Sequence, residues 1–276
     1  MKTAPAKSRL LRTQPATGAW NMAVDEAILE STYQGSGPPT LRLFGWSPPC
    51  LSIGYAPSID DVNMVRLKDR GWDIVRRPTG GRAILHTDEL TYSICGLNVL
   101  PQLKGGVLES YQRLSQGLLE ALRQLGIDAD TPKETAQPIL INEQNPVCFE
   151  VPSNYEITVG GKKLIGSAQA RRKSGVLQHG SLPISGDLTR IIDVLHYKDE
   201  SQREQARRDL FDHATTVERV LGYKGDWWIT SYAFEIAFQK ILNIELNKMD
   251  LSPAEGHRAV ELYHEKYNHP EWINKK

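Results

Sequence analysis

Residues 76–86 run Arg76-Arg77-Pro78-Thr79-Gly80-Gly81-Arg82-Ala83-Ile84-Leu85-His86. The stretches at 73–76 and 90–97 on either side have strand composition, so the glycine pair reads as a turn inside a sheet. Glycine lacks a Cβ and takes positive φ, and a pair of glycines after two arginines therefore bares backbone amides to an approaching ligand. A second segment runs Val147-Cys148-Phe149-Glu150 and then Gly161-Lys162-Lys163-Leu164-Ile165-Gly166-Ser167-Ala168-Gln169. It supplies a thiol nucleophile and a lysine whose charge can activate it, a combination that points to acyl transfer.

Outward from the turn, Trp20, Ala23, Val24, Ala27 and Ile28 recur at helical spacing and predict an amphipathic helix over 19–33. Gly35-Ser36-Gly37-Pro38-Pro39 breaks it, and runs at 40–45 and 50–54 follow as strands. A second long helix is predicted over 107–125, closed by Gly126 where a C-terminal cap belongs. Residues 131–145, rich in Pro, Asn, Gln and Glu, read as a loop leading to Cys148. Tyr155-Glu156-Ile157-Thr158-Val159, Gly160-Gly161 and Lys162-Lys163-Leu164-Ile165 form a hairpin whose glycine-pair turn suits strand twist, which sets Lys163 on a well-fixed strand. Residues 176–184 read as another strand, and Asp187 caps a helix through Leu195. A charged helical stretch at 198–210 and a helix over 227–241 come next. Ser252-Pro253-Ala254-Glu255 opens a further helix as a capping box with proline in its first turn. No internal repeat interrupts this order. The expectation is one α/β (α+β) domain over residues 18–276, a mixed β-sheet flanked by helices, preceded by an N-terminal extension of residues 1–17.

The chain has 276 residues, with Lys plus Arg and Asp plus Glu at 33 each, so no global field favours nucleic acid or an anionic membrane. Cys50, Cys95 and Cys148 are odd in number and have neither CxxC spacing nor a paired histidine motif, which argues against a disulfide framework or a metal site. A reducing, cytoplasmic setting is expected. Residues 1–24 carry Lys2, Lys7, Arg9 and Arg12 without an acid, yet no apolar run there suits a signal peptide or membrane span. Cys50 follows Pro48-Pro49, and Cys95 sits between Ile94 and Gly96 in a strand, so both read as packed and inert. Cys148 is the candidate nucleophile. A free thiol titrates near ~8.5, and an ammonium nearby lowers that enough to populate thiolate at neutral pH.

The runs RRPTGGRAILHTDELTYSI, GAWNMAVDEAIL and CFEVPSNYEITVGGKKLIGSAQARRKSGVLQHGSL resemble the lipoate–protein ligase, octanoyltransferase and biotin ligase superfamily, and within it the LipM-type octanoyltransferases. The resemblance implies a catalytic domain related to class II aminoacyl-tRNA synthetases. It implies that Cys148 carries the acyl group and that Lys163, rather than Lys162, touches the acyl carbonyl. It further implies a substrate pocket drawing on Arg76, Arg77, Thr79, Gly80, Gly81, Arg82, His86, Gly166, Ser167, Ala168 and His179. Asp88 reads as holding the loop, and Asp25 and Glu26 as structural. Ligases that adenylate lipoate usually show three consecutive glycines where this chain has Gly80-Gly81-Arg82, a long cation in place of bare backbone.

Energetics bear on the choice. A free acid needs ATP, and with it Mg, before an amine can take its acyl group, whereas a carrier thioester is already activated. A cysteine therefore has a task in a transferase and none that a ligase requires. The implied reaction takes octanoyl from octanoyl-acyl carrier protein through Cys148 to a lysine of a lipoyl-domain protein such as glycine cleavage H protein, with no cofactor. Transfer from one lipoyl domain to another would use the same cysteine. An ATP-dependent lipoate ligase and a non-catalytic carrier-binding module are the alternative readings.

Overall fold

The computed structural model describes residues 4–131 and 156–275. Its strands are β1 (Ala6–Arg12), β2 (Thr40–Phe44), β3 (Cys50–Ile53), β4 (Asp73–Arg76), β5 (Ile84–His86), β6 (Glu89–Leu97), β7 (Ile157–Val159), β8 (Lys162–Arg172), β9 (Gly175–Pro183) and β10 (Ile244–Lys248). Its α-helices are α1 (Gly18–Tyr33), α2 (Met64–Asp69), α3 (Val107–Gln124), α4 (Glu200–His213), α5 (Val217–Leu221), α6 (Trp227–Leu242), α7 (Pro253–Leu262) and α8 (Pro270–Ile273). The predicted helix after Asp187 is a 3-10 helix, Leu188–Val194, capped by that aspartate.

Seven strands form a mixed sheet in the order β10-β1-β2-β6-β9-β8-β7, and β4-β3-β5 form a smaller one. β1 runs parallel to both β10 and β2, and the remaining pairs of the large sheet are antiparallel. Side chains alternate across each strand, so β6 sends Leu90 and Tyr92 to one core and Cys95 to the other. The first core packs under α3 and α6 through Leu118, Leu122, Phe234 and Phe238. The second packs under α1 and α7 through Met22, Val24, Ile28, Ala259 and Leu262, and it takes in Cys50 of β3 and Val75 of β4. Helix α1 thereby joins the two sheets.

Residues 1–17 read from the sequence as an extension, yet Ala6–Arg12 is an internal strand of the large sheet. Its partners Ile244 to Lys248 lie far along the chain, and no local pattern announces such a pairing. Ser252 and Glu255 make the predicted capping box, and the same Glu255 forks onto the buried Arg9 guanidinium of β1 at 2.6 and 2.7 Å. A π-helical turn, Tyr263–Tyr267, then leads to α8. Arg76 at the end of β4 is fully buried, and its guanidinium donates to the carbonyls of Gly54, Pro57, Trp272 and Ile273. The Trp272 indole returns a bond to the Arg76 carbonyl at 2.8 Å. No helix among the described residues is long and apolar enough to cross a membrane.

Candidate active site

Thr79-Gly80-Gly81 forms a turn between β4 and β5, with Gly81 at φ +93°. Arg77 braces it. The guanidinium donates to the Gly80 carbonyl at 3.0 Å, the Arg82 carbonyl at 2.6 Å, and both the carbonyl and the hydroxyl of Ser52 at 3.0 and 3.1 Å. Gly54 lies so close to the turn that a Cβ there would meet the Gly81 carbonyl oxygen at 1.8 Å. The Arg82 side chain is half-buried.

Between this turn and the large sheet lies a hollow of about 490 Å³, open solvent at its mouth included. The small sheet and its turn contribute Ser52, Arg77, Gly81, Ile84 and His86. The large sheet contributes Thr91, Gly166, Ser167, Ala168, His179, Gly180 and Ser181, and Met22 and Trp46 complete the wall. Of the predicted site residues, Arg77, Gly81, His86, Gly166, Ser167, Ala168 and His179 thus meet around one space. Arg76 is not among its lining residues and faces α8 instead. Thr79 is fully buried just behind the wall, with its hydroxyl 2.6 Å from His179 Nε2.

Both histidines are tied to buried acids. His86 Nδ1 lies 2.7 Å from Glu89 Oε1, and its Nε2 lies 2.7 Å from the Ser52 hydroxyl. Burial alone would raise the Glu89 carboxyl, but His86 and the hydroxyls of Ser181 and Thr91 more than offset it, so its pKa is lowered. His179 Nδ1 faces Asp25 Oδ2 at 3.8 Å. Burial also opposes the Asp25 charge, yet the Arg42 guanidinium at 2.8 Å and His179 hold that carboxyl below its ordinary range. Burial lowers the His179 pKa, against the pull of Asp25, and Arg77 and His86 add to the lowering. Trp46 stacks on His86 at 4.0 Å between centroids and donates to Thr91 at 2.7 Å.

The hairpin sets the lysines apart as alternation requires. Gly160 and Gly161 both take positive φ, 55° and 79°, the pairing that a tight twisted turn needs. Lys163, only 2% exposed, is ion-paired with the buried Glu156. Lys162 is half-buried, its ammonium bonded to the Phe211 carbonyl and set over that ring. Lys163 does not line the hollow but is the second residue of the strand whose Gly166, Ser167 and Ala168 do. Cys148 lies outside the described residues. Cys50 and Cys95 are buried, and burial pushes both thiols well above their ordinary pKa.

Several wall and support residues escape sequence reasoning: Asp25, Trp46, Ser52, Glu89 and Ser181. Asp25 occupies a position of α1 that faces the sheet, so helical periodicity with one acid on the apolar side was its available signal. Ser52 and Ser181 sit in strands, where a hydroxyl carries no pattern of its own.

Residues 17–236 match the lipoyl protein ligase A/B catalytic domain. Octanoyltransferase LipM of Kyrpidia tusciae is 40% identical over 271 residues, covering 97% of this chain and 98% of its own. Octanoyltransferase LipM of Halalkalibacterium halodurans is 39% identical, covering 92% of this chain and 94% of its own. In structure the chain resembles the bipartite lipoate protein ligase of Thermoplasma acidophilum, solved in a study with its E2 lipoyl domain, at TM-score 0.81 and 24% identity over 97% of this chain and 96% of that one. A lipoate–protein ligase A bound with ATP gives TM-score 0.78 at 24% identity over 97% of this chain and 98% of that one.

Proposed function

The chain belongs to the lipoyl protein ligase A/B catalytic-domain family and acts as an octanoyltransferase, and from that premise we propose that the hollow between the two sheets holds the octanoyl chain with its carbonyl toward Lys163. The Cys148 thiolate attacks the carbonyl carbon of an octanoyl thioester on acyl carrier protein. The new C–S bond forms, the carrier thiolate leaves and takes a proton, and Cys148 holds the acyl group. A lysine amine of a lipoyl-domain protein then attacks that thioester, an amide forms, and the Cys148 sulfur is released with the amine's proton passing to solvent or a base. Lys163 stabilises the oxyanion of both tetrahedral intermediates. No nucleotide or metal enters the cycle, and a reducing cytoplasm keeps the thiol free.

The near-complete match to an octanoyltransferase at 40% identity carries this reading, and the buried lysine on the strand that lines the hollow supports it. The Thermoplasma acidophilum ligase and its E2 lipoyl domain support a lipoyl domain as acceptor. Its test mixes the enzyme with octanoyl carrier protein, first alone and then with a lipoyl domain. The expected products are a hydroxylamine-labile octanoyl adduct on Cys148, absent from Cys50 and Cys95, and then an octanoylated lysine without ATP. Octanoylation that requires ATP and free acid would instead place the chain with the ATP-dependent ligases, and full activity in Cys148→Ala would replace the thioester intermediate with direct transfer or with the ligase route.

A further inference from the structure

The glycine turn is open at Gly80, where a Cβ would meet nothing within 4 Å, while its Gly81 abuts Gly54 and its Thr79 carbonyl accepts from the Tyr55 N–H at 2.9 Å. Side chains from both sheets fasten it as well. On the large-sheet side Thr79, the residue before the glycine pair, is bonded to His179 of β9, whose other nitrogen faces Asp25 of α1. On the small-sheet side the carbonyls of Gly80 and Arg82 hang on Arg77, which is seated on Ser52, which is bonded to His86, which rests on Glu89.

Which way each hydrogen bond runs follows from the chemistry of the partners. An ionised carboxylate only accepts, so the ring proton of each histidine sits on the Nδ1 that faces its acid, hydrogen-bonded to Glu89 in His86 and 3.8 Å from Asp25 in His179, and leaves the Nε2 lone pair open to a hydroxyl. Thr79 therefore donates to His179. Ser52 Oγ already accepts from Arg77 at 3.1 Å, so its own proton is directed to His86. With each Nε2 bonded to a hydroxyl and each Nδ1 turned toward a carboxylate, both imidazoles line the hollow assigned to the acyl chain. Neither Asp25 nor Glu89 lines that hollow.

We propose that Asp25 and Glu89, acting through His179 and His86, are positioning residues for acyl transfer: each pair orients one hydroxyl, Thr79 or Ser52, and the two hydroxyls fix the glycine turn across the acyl pocket from opposite walls. The inference rests on the pocket assignment made above. A turn fastened on one wall only would shift where the acyl carbonyl lies relative to its nucleophile, and small misplacements are costly in rate while leaving the acyl chain's apolar contacts in place.

The experiment uses the full chain with octanoyl carrier protein as donor and a lipoyl domain as acceptor. Thr79→Val, which keeps the shape and deletes the hydroxyl, is expected to lower kcat about tenfold to a hundredfold with KM for the donor unchanged, and Thr79→Ser to restore it. His179→Gln should cost a similar factor, and the double variant Thr79→Val/His179→Gln no more than either alone, because members of one relay are not additive. Should Thr79→Val melt far below the wild type, Ser52→Ala and His86→Gln carry the same comparison on the other wall. Wild-type kcat in the hydroxyl-deleted variants, additive losses in the double variant, or failure of Thr79→Ser to restore turnover overturns the relay alone. Failure of the wild-type protein to transfer octanoyl overturns the pocket assignment and the relay with it.

Discussion

Lys163 is a cation folded into the interior beside a carboxylate, and its structural pairing can be separated from the oxyanion role proposed for it. Removing the ammonium strips Glu156 of one buried partner, and breaking a buried pair by deleting one member costs about 3–5 kcal/mol. Loss of an oxyanion donor costs a further ~3 kcal/mol of transition-state stabilisation, about a hundredfold in rate. Lys163→Met should therefore both destabilise the protein and slow acyl transfer at least about a hundredfold. Adding Glu156→Gln should return most of the stability, read by urea unfolding, and none of the rate. Lys162→Ala, at a half-buried position on the hairpin tip, should change the rate little. Equal losses in the Lys162 and Lys163 variants would show that the pair acts only through the hairpin's fold.

At the scale of elements, the glycine turn makes the clearest contrast. Gly54→Ala drives a methyl group into the Gly81 carbonyl, backbone that cannot swing aside as a side chain can, and should destabilise by about 1–3 kcal/mol while displacing the turn. Gly80→Ala meets open space and should leave the melting temperature where it is. An unchanged melting temperature in Gly54→Ala would show that the two loops part easily. Much of this architecture was legible because its signals are local: the period of α1 and α3, the caps at Asp187 and Ser252, and the Gly160-Gly161 turn all lie within a few residues of what they specify. β1 and β10 were illegible because each is a strand through a partner more than two hundred residues away. The site divides in the same way. The motif residues around Gly81 and Gly166 are contiguous in sequence, whereas Asp25 and Ser52 reach their histidines only through the fold, and Glu89, three residues from His86, carries no pattern of its own.

Over the whole molecule, buried charge makes stability pH-dependent, and the signs agree. Asp25 and Glu89 are held below their ordinary values, so they contribute stability that is present above an unfolded value near ~4 and lost as pH falls through the lower folded values. His179 is also lowered, so the unfolded chain binds its proton more readily and stability falls as pH drops below ~6.5. Urea unfolding should show a loss between about pH 7 and pH 5 that is absent in His179→Gln, followed by a steeper loss below about pH 4. An identical slope in that variant would remove His179 as its source. Arg42→Met, which leaves the fully buried Asp25 carboxylate without its guanidinium, should cost about 3–5 kcal/mol at pH 7.

The Arg76 clamp has a consequence for how the enzyme comes into being on the ribosome. The carbonyls of Trp272 and Ile273 that receive its guanidinium lie 196 and 197 residues downstream. At about 5–20 residues per second they are translated roughly ten to forty seconds after it. During that interval β4 and the neighbouring loop have been made but their far anchor has not, and β1 likewise waits beside an unmade β10. A chain halted between α6 and α8 would carry every residue that lines the hollow and still lack the far anchor of β4, so this corner of the fold is completed only at the end of synthesis.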